Sequence, residues 1–203
     1  MLTPRDTATG PTAHSVLADA RRILVIGCPG SGKTTFAACL SAVLTLPVHH
    51  LDDLYFSMAW RPRPTPEWHR TVDTLCAADE WIVDGNHADT LGRRLPHADA
   101  VIVLNRAPIL CLASYLRRLL RYALTPPEAL PHYMRRDDGG RVLADRPLAF
   151  SRFILSFRRR SLPGMAAAFK AHPDIAVVEL RTRGDMRMLL AELGNSPGRD
   201  ATC

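Results

Sequence analysis

Eight consecutive residues carry the strongest chemical signal in the chain. Gly27-Cys28-Pro29-Gly30-Ser31-Gly32-Lys33-Thr34 fits the spacing G-x-x-x-x-G-K-[ST]. A triphosphate is multiply anionic, and successive backbone N–H groups wrapped into a concave nest can donate to its oxygens. Glycines let the backbone come close and take positive φ. The loop opens onto a helix N-terminus, whose free N–H groups and dipole favour anions. Gly27, Pro29, Gly30, Ser31, Gly32, Lys33, Thr34 and Thr35 are the expected nucleotide contacts. In that role Lys33 bridges the β- and γ-phosphates, and the Thr34 hydroxyl binds Mg²⁺. A chance glycine-rich turn is the alternative. The apolar run Ile23 to Ile26 before the loop and the helical spacing of Phe36, Leu40, Val43 and Leu44 after it argue against chance. Cys28 reads as a small spacer.

Carboxylates and arginines complete the set. Asp84 ends the apolar stretch Trp81-Ile82-Val83, where an acid orients Mg²⁺ through a bound water. A turn aspartate in "DGN" is the competing reading. "PVHHLDDLYF" holds His49, His50, Asp52 and Asp53 within five residues. A kinase acting on a hydroxyl needs a carboxylate to orient and deprotonate it. Strand alternation puts Asp52 with His50, so Asp52 is preferred to Asp53 for this role. The histidines read as structural neighbours, since no third well-spaced ligand accompanies them and Mg²⁺ prefers oxygen. Arg117, Arg118 and Arg121 stand at i, i+1 and i+4 near the end of an amphipathic stretch. They are either a solvated face or the arginines of a lid that neutralises charge on a transferred phosphoryl group.

The elements that must position these groups follow from hydrophobic period. Short apolar runs at 23–26, 47–51, 81–86, 100–105 and 175–180 read as strands. Between them lie helical patterns, including 35–44, 108–124 and 184–193. Thr65 is a candidate N-cap with Pro66 at the first helical position. Alternating strands and helices predict an α/β fold: a five-stranded parallel sheet with helices on both faces, of P-loop NTPase type. Ligands of such sheets sit beyond the carboxyl ends of the strands. The loops after the first three strands are therefore expected to converge on the phosphates. Residues 1–20 and 194–203 read as flexible tails around one domain, 21–193. Residues 125–146, rich in proline, glycine and charge, read as a mobile loop.

The chain has 203 residues, 47% of them hydrophobic, enough for one sizeable core. No apolar run approaches the ~20 residues of a membrane span, and the N-terminus lacks the pattern of a signal peptide. A cytoplasmic location is expected. The five cysteines show no CxxC pair and read as free thiols. Net charge is +6, and of the 26 basic residues only Lys33 and Lys170 are lysines. Arginine forks suit phosphate.

"GCPGSGKTT", "LPVHHLDDLYF", the Trp60–Trp68 stretch, "WIVDGN" and the "F…FRRR" segment together resemble the bacterial DNA topology modulation (FlaR-like) proteins, an adenylate-kinase-like P-loop group. The resemblance covers most of residues 22–160 and the final strand and helix. It implies a nucleoside-kinase-like fold, an acceptor region at about 52–76 and an arginine-bearing lid after the fourth strand, at about 117–150. Asp52 falls on the aspartate of "HLD" and Asp84 on that of "DGN". Where the group commonly carries an acid at the end of the fourth strand, this chain has Asn105. The expected activity is Mg²⁺- and ATP-dependent phosphoryl transfer to a small-molecule or nucleotide acceptor. An NTP-binding regulator acting on DNA or a protein is the alternative: the charge allows it, but no nucleic-acid motif is present. A GTPase switch lacks its guanine-reading NKxD motif.

Overall fold

The computed structural model describes residues 13–143 and 146–195. Strands β1 (Arg22–Gly27), β2 (Val48–His50), β3 (Trp81–Asp84), β4 (Ala100–Leu104) and β5 (Ala176–Leu180) form one sheet in the order β2-β3-β1-β4-β5. Every neighbouring pair is parallel, so each connection is a crossover. The alternating and apolar sequence produces this directly, because both faces of each central strand must be covered. Leu24, Ile26, Val83, Val101 and Val103 pack on one face against α4 (Thr65–Cys76), α5 (Ala88–Arg94), α6 (Pro108–Ala123), α7 (Pro147–Arg160) and α8 (Leu162–Lys170). Ile23, Val25, Ile82 and Ile102 pack on the other against α1 (Ala13–Asp19), α2 (Lys33–Leu44) and α9 (Arg183–Gly194).

After β2 the chain turns at once into the short helix α3 (Leu51–Tyr55), then into an antiparallel ribbon pairing Phe56–Ser57 with Arg61–Pro62. Ala59 and Trp60 at its tip both have φ of 56°. Neither is glycine, so each costs about 1–2 kcal/mol. Tertiary bonds hold them there. The Ala59 amide donates to the Arg135 carbonyl at 2.9 Å, and the Trp60 indole N–H donates to the Val142 carbonyl at 2.8 Å.

Those bonds correct one expectation. Residues 125–143 are not a loose loop but a strap folded across the ribbon, with Leu130 and Met134 buried. The distant partners in 56–60 could not be seen in a local pattern. Helix α1 corrects another, since residues 13–19 are not tail: Leu17 is fully buried against α9 and the sheet. Residues 1–12 and 196–203, the rest of the expected tails, lie outside the described residues. Helix α8 was not expected. Thr65 is the first residue of α4 rather than its cap, and no side chain caps that end. Cys28, Cys76 and Cys111 are buried free thiols. Among the described residues no helix is long and apolar enough to cross a membrane.

Candidate active site

Strand direction sets the site. The carboxyl ends of β1, β2 and β3 lie side by side, with His50 level with Asp84 and Val25 level with Asp84 on the other side. They open into one cleft of about 1360 Å³. Pro29, Gly30, Gly32, Lys33, Thr34 and Thr35 line it from the loop after β1. Gly27 and Ser31, also expected as nucleotide contacts, are not on its wall. Gly27 lies at the base of the loop, and the Ser31 side chain is buried beneath it.

The loop is shaped by residues without side chains. Gly30 has φ of +80°, and a Cβ there would lie 2.3 Å from the Cys111 carbonyl oxygen on α6. Only glycine allows that turn and that approach. Gly32, at φ +101°, is the residue before α2. The Lys33 ammonium donates to the carbonyls of Gly27 at 3.1 Å and Cys28 at 3.3 Å, which folds it back over its own loop. Beneath the loop, Arg106 is buried, donates to the Ser31 carbonyl at 3.3 Å, and reaches the cleft wall. Sequence reading passed over Arg106. Asp84 closes β3, and Arg106 lies two residues past the end of β4, so the carboxyl edge of the sheet was the signal available for both.

Asp84 is 5% exposed. Its Oδ2 accepts from the Thr34 hydroxyl at 2.8 Å and lies 3.0 Å from His50 Nδ1. That carboxylate raises the His50 pKa above its ordinary value, against the opposing effect of burial. Oδ1 of Asp84 is buried and has no hydrogen-bond partner. A buried carboxylate oxygen left unpaired is costly, so its presence beside a threonine hydroxyl suits a hard, oxygen-seeking cation such as Mg²⁺. Thr34 and Asp84 are the residues that would hold it.

Asp52 sits in the first turn of α3, and His87 Nε2 lies 3.1 Å from its Oδ1. Its side chain keeps 59% of its surface open to the cleft. Burial raises its pKa, but the His87 hydrogen bond and the charges of His87, Lys33 and Arg118 outweigh this and hold it below its ordinary value. Asp53 lines the same wall. From α6, Arg117, Arg118 and Arg121 all reach the cleft. Arg118 lies 5.9 Å from the Tyr115 ring centre, Arg121 5.4 Å from that of Tyr122.

The loop after β3 is held from behind. Asn86 accepts from the Gly27 amide at 3.0 Å and donates to the Gly27 carbonyl at 2.9 Å. It therefore ties this loop to the base of the nucleotide loop while also lining the cleft. His87 takes φ of 30°, a strained value for a residue with a side chain. Arg94, fully buried, grips that strain: its guanidinium donates to the carbonyls of Gly85 at 3.2 Å, Asn86 at 2.5 Å and His87 at 2.9 Å. Burial lowers its pKa to about 10. At the end of β4, Asn105 donates to Glu179 at 2.8 Å and accepts from Arg158 at 2.8 Å, a bridging role in place of an ionic one.

A parallel sheet in this order, with a glycine-rich loop on β1 and facing acids after β2 and β3, defines the P-loop kinase fold. A solved structure shares this fold. The chain is similar to the shikimate kinase of Acinetobacter baumannii in complex with shikimate, at 17% identity and a TM-score of 0.53, over 89% of this chain and 94% of that one. It is also similar to the shikimate kinase of Bacteroides thetaiotaomicron, at 12% identity and a TM-score of 0.47, over 86% and 96%. Likeness at such identity is likeness of fold. No protein-family model and no curated protein matches the sequence.

Proposed function

We propose that the protein is a Mg²⁺- and ATP-dependent phosphotransferase acting on the hydroxyl of a small molecule. The observation that carries this reading is the placement of Asp52. Its pKa is held below the ordinary value, His87 lies 3.1 Å from it, and it faces the same cleft as Lys33, Thr34 and Asp84. A carboxylate so placed can orient an acceptor hydroxyl and take its proton. The hydroxyl oxygen bonds to the γ-phosphorus, and the bond from that phosphorus to the β,γ-bridging oxygen breaks. ADP leaves with the electron pair. Lys33 and the α6 arginines lie where charge on the transferred group can be offset. Mg²⁺ at Thr34 and Asp84 would supply further charge neutralisation.

The motifs "HLD" and "DGN" support placing the chain near the bacterial DNA topology modulation proteins. A DNA-binding regulator finds less free charge here than the sequence offers, because several arginines are engaged within the chain. Arg135 donates to the Leu130 carbonyl, Arg136 pairs with Asp138, and Arg158 is spent on Asn105. The test is ADP release driven by an acceptor panel with Mg²⁺ and ATP. Transfer is expected in the native chain and lost in Lys33→Ala and Asp52→Asn. ATP binding without transfer to any acceptor would refute the reading.

A further inference from the structure

The two ends of the cleft differ in charge. Its cations are Lys33 and residues from position 106 onward, on the nucleotide loop, after β4 and on the lid side. The acceptor side, from residue 50 to residue 92, contributes Asp52, Asp53, Asp84 and two histidines and no arginine; the cations acting on Asp52 are Lys33 and Arg118, which the phosphotransferase reading assigns to the transferred phosphoryl group. That segment and the two residues after it are not short of arginines; each is engaged elsewhere. Arg61 faces Asp137 at 3.8 Å, Arg63 holds Glu67 and the Leu54 carbonyl, and Arg70 donates to the Pro66 carbonyl at 3.4 Å. Arg93 holds Asp73, and Arg94 grips the carbonyls of residues 85–87. The two histidines are paired with Asp84 and Asp52.

The wall beside these carboxylates is aromatic. Phe56, Trp60 and Tyr133 line the cleft, with ring centres 5.2 Å apart for Phe56–Trp60 and 4.7 Å for Trp60–Tyr133. Burial and the charges of Asp52 and Asp53 push the Tyr133 phenol well above its ordinary pKa, with Arg118 opposing them. The rings are steeply inclined to one another, at 73° for Phe56–Trp60 and 57° for Trp60–Tyr133, so they form an apolar corner rather than a flat shelf. Such a corner suits an apolar ring packed edge to face. Two carboxylates beside it disfavour an anionic group on the incoming molecule.

We infer that the acceptor is a ring-bearing hydroxyl compound with no phosphate or carboxylate of its own. The inference rests on the phosphotransferase reading and names its substrate class. Trp60 and Asp53 are then specificity residues, one for the ring and one against anions.

The test is calorimetric binding to the full chain in the presence of Mg²⁺ and a non-hydrolysable ATP analogue. Matched pairs serve as probes: cytidine and its 5′-monophosphate, adenosine and its 5′-monophosphate, phenyl glucoside and phenyl glucuronide. The neutral member of a binding pair is expected to bind at least about tenfold more tightly. Asp53→Asn should narrow that ratio by about threefold or more. Trp60→Ala should weaken the neutral member about tenfold, and Trp60→Phe should restore most of it. Both Trp60 variants lose the bond to Val142, so the comparison isolates the ring. Equal or tighter binding of the anionic member, or no binding by any neutral member, would overturn the inference. The parent reading fails separately. Transfer to anionic acceptors sinks only the substrate class, while tight neutral binding without ADP release sinks only the transferase.

Discussion

Asp52 lies in the first turn of α3 with His87 on one side and the charges of Lys33 and Arg118 within reach. It and Asp84 were legible in the sequence, because an acid beyond an apolar strand in a parallel sheet points at the ligand edge whatever the rest does. The choice of Asp52 over Asp53 as the reacting carboxylate remains our proposal, supported by the His87 contact that only Asp52 makes. Arg94 was not legible. It is one arginine among many, and nothing local distinguishes a guanidinium that will be fully buried. Its three carbonyl partners make a prediction at this scale. Arg94→Lys should cost about 2–4 kcal/mol in denaturant melts, since an ammonium cannot span all three and a buried cation loses its pairing. A cost under about 0.5 kcal/mol would show that the 85–87 turn does not depend on the fork.

At the scale of elements, the strand–loop–helix unit around Lys33 and the sheet could be read because their signals are local and periodic. Helix α1 and the 125–143 strap could not. Seven residues of α1 acquire their stability from α9, and the strap from a ribbon more than sixty positions earlier. Asp99 shows how one carboxylate fixes a strand's start. It accepts from the amides of Arg21 at 2.9 Å and Arg22 at 2.8 Å and from the Arg22 guanidinium at 2.9 Å, joining the entry of β1 to that of β4. Burial raises its pKa, but those donors outweigh it and leave the folded value depressed. A depressed carboxyl pKa stabilises the fold above the unfolded value, and that contribution fades as pH falls through the folded one. Asp99→Ala should therefore cost about 1–3 kcal/mol at neutral pH, with the deficit shrinking below about pH 4. Urea melts across that range would contradict this if the deficit stayed constant.

Across the whole molecule, the ribbon after α3 and the strap after α6 form one unit along the wall of the cleft. The Ala59 amide, the Trp60 indole, and His132, whose Nε2 lies 2.9 Å from the Phe56 carbonyl oxygen, cross between them. Amide exchange should report that unit. Trp60→Phe removes the N–H to Val142 and should speed exchange about fivefold at both Ala59 and Val142, whose amide donates to Met134. Faster exchange on one side alone would show that ribbon and strap move independently. The account depends most on the division of labour between Lys33 and Asp52. The measurement that tests it compares Mg²⁺-ATP affinity with acceptor-driven ADP release in the native chain, Lys33→Ala and Asp52→Asn. Lys33→Ala should lose nucleotide affinity, whereas Asp52→Asn should keep it within about threefold and lose about 10²–10⁴ in turnover. An Asp52→Asn chain that turns over at the native rate would contradict the central claim.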